Sequence, residues 1–89
     1  MRAADVCQLA AGLVSGDRAR QHGDALTSHT KIAGLWSAFL GAPITAHDVA
    51  LMMALLKIAR TKSGSFNLDD YVDAAGYAAI AAEVGGRDA

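Results

Sequence analysis

The chain has 89 residues, eight cations, nine anions and a net charge of −1, enough for one small domain. A sequence pI near 6.2 argues against direct nucleic-acid binding, which needs a basic surface to displace the counterions of phosphate. Hydrophobic residues make up 53% of the chain and many are alanine, so each buries little area; a helical bundle completed by homo-oligomerisation is expected.

The spacing of Val6, Leu9, Ala10 and Leu13 predicts a first helix over about 3–20, with Val14, Arg18 and Gln21 keeping the period past Gly16. Cys7 lies on it and is read as a small buried hydrophobe. As the single cysteine it excludes an intramolecular disulfide and a cysteine-based zinc site. His22-Gly23-Asp24 interrupts the pattern, with glycine free to take positive φ and Asp24 suited to cap the next helix. That second helix spans about 25–40, with Ile32, Leu35, Trp36 and Phe39 on its apolar face, and Gly41-Ala42-Pro43 stops it.

Thr45 with Asp48 three residues on forms a capping box that opens a third helix, about 46–62. Val49, Met52, Met53 and Leu56 make one stripe, and Leu51, Leu55 and Ile58 make a second. A helix apolar on two faces is central in a bundle or sits at an oligomer interface. After Ser63-Gly64-Ser65, Asn67 caps a fourth helix, about 68–84, carrying a small-residue stripe of Tyr71, Val72, Ala75, Ala79 and Ala82. The last residues, 85–89, are expected to fray. No segment has strand periodicity, so the fold class is all-α: a four-helix bundle with residues 1–89 as one domain. No apolar run approaches the roughly 20 residues of a membrane span, and Asp5 and Gln8 interrupt any signal-peptide core. A cytoplasmic protein away from the membrane is the expectation.

The chemistry is concentrated in residues 57–77, KIARTKSGSFNLDDYVDAAGY. A connector this short makes helices three and four an antiparallel hairpin. In that register Arg60 lies level with Asp69 and Asp70, and Lys57 lies level with Asp73. Pairing of this kind fixes a hairpin and suits the helix dipoles at both ends. The same cluster suits a phosphate on Lys57 and Arg60, or a divalent ion on Asp70 and Asp73. Tyr77 falls on the Asp70/Asp73 face, and Gly76 beside it lets a backbone or a flat ligand come close. His22, His29 and His47 have no metal-ligand spacing, but the loop at His22 and Asp24 leaves amides that can meet an anion. Ser15, Ser28 and Ser37 have no glycine elbow or nearby His/Asp partner.

The order "R…HGD", then "IAGLWSAFLG…IT…DVALMMALLKIAR", then "DDYVDAAGYAA" resembles a group of small all-helical phage and prophage proteins with no assigned activity. The match covers about residues 12–83. More distantly, the arrangement is similar to the MazG-like and dimeric dUTPase group of all-α nucleotide pyrophosphohydrolases. It is also similar to a helical domain found near phage DNA-base-modification enzymes. The pyrophosphohydrolases hold magnesium on a Glu-x-x-Glu pair and a Glu-x-x-Asp pair, and Asp70-x-x-Asp73 matches the second. Lys57-x-x-Arg60 stands where the first pair of acids would be.

The leading sequence reading is therefore binding of a nucleotide or another phosphorylated metabolite. Lys57 and Arg60 would contact phosphate, and His22, Asp24 and Tyr77 would shape the pocket. Asp70 and Asp73 would hold magnesium or a ligand hydroxyl. A divergent magnesium-dependent pyrophosphohydrolase and a non-enzymatic protein-interaction module are the alternatives. The motifs leave open whether the chain is an enzyme.

Overall fold

The computed structural model describes residues 1–16 and 24–88. They form four α-helices: α1 (Ala3–Ser15), α2 (Ala25–Leu40), α3 (Ala46–Arg60) and α4 (Leu68–Asp88), with no strand among the described residues. The α3–α4 hairpin is the closest pair; α1 packs on α4, and α2 packs on α3 with a smaller contact to α4. The chain is an all-α protein with bundle-like packing.

Local sequence sets most of the helix ends. Asp24 accepts from the Thr27 N–H at 3.3 Å and starts α2. Gly41, at φ 69°, ends it and donates to the Ser37 carbonyl. The Ser37 hydroxyl then accepts from the Ile44 N–H at 2.8 Å and donates to its carbonyl at 3.1 Å, pinning the connector to α2. At α3, Thr45 and Asp48 form the capping box with two 3.0 Å bonds. The bond from the Thr45 backbone N–H favours the ionised Asp48; with the nearby Thr45 hydroxyl as the next cause, it holds the carboxyl below its ordinary value of 3.8. Asn67 Oδ1 accepts from the Asp69 N–H at 3.1 Å and starts α4.

Two helix ends differ from the sequence expectation. Helix α1 stops at Ser15, because Gly16 leaves helical geometry at φ −103°, ψ −120°; residues 17–23, including the expected continuation to 20, lie outside the described set. Helix α4 continues through Gly85 and Gly86 to Asp88. Tertiary packing outweighs glycine's low propensity there: a Cβ on Gly85 would sit 2.9 Å from His47 Cδ2. The missing side chain lets α4 close onto the ring at the start of α3.

The core is built from small residues. Ala46 and Ala50 of α3 meet Ile80, Ala81 and Val84 of α4, with Val14, Leu26 and Tyr77 packed around them. The face α4 buries runs through Val72, Gly76, Ile80 and Val84; Tyr71, Ala79 and Ala82 of the expected stripe are exposed. Cys7 is exposed as well, correcting its reading as a buried hydrophobe. It borders an apolar cleft with Met1, Phe66 and Tyr71, the last two rings stacked at 5.4 Å.

A paired charge ladder beside a small cavity

The hairpin turns the sequence spacing into two rungs. Lys57 Nζ lies 3.0 Å from Asp73 Oδ2, and Arg60 Nε lies 3.7 Å from Asp70 Oδ1. The rungs differ in environment. The Lys57 and Asp73 side chains are 16% and 29% exposed, so that pair is half-sheltered. The Arg60 side chain is 59% exposed, and its charge is largely solvated although Asp70 is buried. Asp69 is exposed and makes neither rung.

The inner rung forms part of the wall of a half-open cavity of about 160 Å³. Lys57, Asp73 and Tyr77 supply its polar wall, and Leu13, Val14 and Ile80 its apolar one. Gly76 is also at this wall, but the close approach it permits is taken by Val14 of α1: a Cβ there would lie 3.3 Å from Val14 Cγ1. Tyr77 packs against the core and sets its ring edge-on to His29, centroids 6.3 Å apart. His29 is buried, and its Nδ1–H donates to the Ala25 carbonyl at 2.9 Å.

The geometry thus brings together Lys57, Asp73 and Tyr77, with Arg60 and Asp70 one turn away. Asp24 is occupied at the start of α2, and His22 lies outside the described residues. Asp70 and Asp73 each face a cation, and among the described residues no group of three His, Cys, Asp or Glu side chains is placed to hold a metal ion. A magnesium centre of the pyrophosphohydrolase kind would need carboxylates beyond these two. No described helix is long and apolar enough to cross a membrane.

The sequence reading weighs His29 only as a metal ligand and does not place it inside the fold, where it is buried. The spacing Leu26, His29, Ala33, Trp36 is a helical stripe that would have placed it on the inward face of α2.

Fold and site together define a small all-α bundle protein with a helical hairpin bridged by two ion pairs. The chain belongs to the family described as a domain of unknown function, DUF6378, whose model matches residues 5–85. It is similar to the Gene 55 protein of Mycobacterium phage L5, 46% identical over 69 residues that make up 76% of this chain and 44% of that protein. It is also similar to the Gene 55 protein of Mycobacterium phage D29, 39% identical over 66 residues, 74% of this chain and 44% of that protein. The chain thus spans less than half the length of these curated relatives. No solved structure matches it.

Proposed function

We propose that this chain is a phage-type helical interaction module whose working surface is the outward face of α3 and its neighbour α2. One observation carries the proposal. All nine leucines fall among the described residues, none is buried, and seven are 40% exposed or more, while alanines fill the core. Large side chains left in water forgo about 1.5–3 kcal/mol each relative to burial. A soluble chain that holds its leucines outward gains most by covering them with another surface.

The test is Leu55→Glu, followed by circular dichroism and by an apolar dye whose fluorescence reports open hydrophobic surface. At a protein concentration low enough to keep copies of the chain apart, the variant stays helical and binds less dye than wild type. A side chain needed inside the fold behaves differently: even Leu55→Ala would then cost about 2–5 kcal/mol at every protein concentration, and that result would refute the proposal.

A second reading rests on the cavity at Lys57, Asp73 and Tyr77. A phosphoryl group or a sugar fits in about 160 Å³; pockets that enclose drug-sized ligands run to roughly 300–1,000 Å³. The reading is therefore one phosphate drawing Lys57 off Asp73, with any base left outside. A deoxynucleoside monophosphate should then raise the melting temperature of wild type and leave Lys57→Met unchanged. No shift across the four monophosphates removes this reading.

A further inference from the structure

We infer that the partner covering the outer face of α3 is a second copy of this chain, packed antiparallel across a two-fold axis near Leu55. The inference rests on the interaction reading above and names its occupant.

At 100° per residue, Ile58, Leu51, Leu55, Met52 and Leu56 fall on a single arc of roughly 160°. All five are exposed. The buried residues Ala50 and Ala54 lie across the helix from it, and buried Val49 borders it roughly 20° past Leu56, where α3 meets the rest of the bundle. No lysine, arginine or glutamate interrupts the outer arc, and its single charge is Asp48 at the N-terminal end, held in the capping box. Charge-depleted apolar patches mark the cores of homodimer interfaces. A membrane-seeking face would instead carry several cations along its flanks, whereas Lys57 and Arg60 of α3 pair with Asp73 and Asp70.

The area also fits. On the neighbouring helix α2, Leu35 and Phe39 are exposed as well, at 72% and 89%. With the five residues of α3 they leave on the order of 700 Å² in water, close to the ~800 Å² each partner contributes to a stable complex.

Charge sets the direction. The arc begins at Asp48 and is followed, just past the end of α3, by the exposed Lys62. Antiparallel pairing about Leu55 brings Asp48 of one copy towards Lys62 of the other and opposes the two helix dipoles. It also sets Leu51 and Met52 against the segment that holds Ile58 and Ala59, a self-complementary contact of the kind a two-fold requires.

Sedimentation velocity over a concentration series, read beside dye binding, tests this. Wild type should sediment at twice 9.2 kDa at micromolar concentration, and Leu55→Glu at 9.2 kDa. Should Leu55→Glu fail to fold, Leu55→Ala, which retains the helix, should weaken the dimer at least tenfold. A wild type at 9.2 kDa that binds dye more strongly than Leu55→Glu overturns the second copy and leaves the interaction reading standing. A wild type at 9.2 kDa with the same dye signal as Leu55→Glu overturns both. A dimer that persists in folded Leu55→Glu puts the seam elsewhere and also overturns the inference.

Discussion

The inner rung of the ladder makes a quantitative prediction. At 3.0 Å and an effective dielectric near 20, the Lys57–Asp73 attraction is about 5 kcal/mol before costs. Desolvating two half-sheltered groups and fixing a long lysine stem offset most of it. The coupling that remains should be about 1–2 kcal/mol, against about 0.5 kcal/mol or less for Arg60–Asp70, whose cation is solvated. The measurement is a double-mutant cycle with Lys57→Met and Asp73→Asn, read by urea unfolding at fixed protein concentration. Each single variant should lose more than the double variant relative to its size, because it strands one charge beside the cavity. In a domain this small, 1 kcal/mol corresponds to about 4–8 °C in melting temperature. A coupling near zero at the inner rung, or a larger one at the outer rung, would refute the assignment of Lys57–Asp73 as the hairpin lock.

Two adjacent glycines should respond with opposite sign. Gly86→Ala meets open space and should stabilise α4 by about 0.5–1 kcal/mol. Gly85→Ala drives a methyl to 2.9 Å from the His47 ring, and the overpacking cost of about 1–3 kcal/mol should exceed the same gain; thermal or urea unfolding of the pair decides it. The Asp48 cap should show in acid. Its carboxyl is held below 3.8 in the folded state, so its stabilisation is complete above the unfolded value and is lost as pH falls through the folded one. The urea midpoint of wild type should exceed that of Asp48→Asn by a constant gap above about pH 5, shrinking towards lower pH; a gap that ignores pH contradicts this.

The sequence made the hairpin legible because its determinants are local. Asn67, Thr45 and Asp48 bond within three residues of themselves, and oppositely charged helix ends leave one antiparallel register for Lys57 and Asp73. The inward faces were harder to read. On α3 both the Val49 stripe and the Leu51 stripe are apolar, so periodicity cannot say which faces in; Val49 is buried, but Met52 and Leu56 of its own stripe are exposed together with Leu51, Leu55 and Ile58. Ala46 and Ala50 take the interior, packed with Ile80, Ala81 and Val84 of α4. The same close packing carries α4 through two glycines that local propensity would end on. At the candidate site, Lys57, Asp73 and Tyr77 were legible as one cluster, but the walls from Leu13 and Val14 depend on where α1 docks, which no local pattern encodes.

Disulfide cross-linking reaches the central claim most directly. In a Cys7→Ser background, Leu55→Cys places one thiol at the proposed axis, where two copies can meet at disulfide distance, a Cα separation of about 4.4–6.8 Å. Ala82→Cys, exposed on α4, is the control. Under mild oxidation Leu55→Cys should give rapid covalent dimer and Ala82→Cys little. Equal cross-linking at both positions, or none at Leu55→Cys, would contradict it.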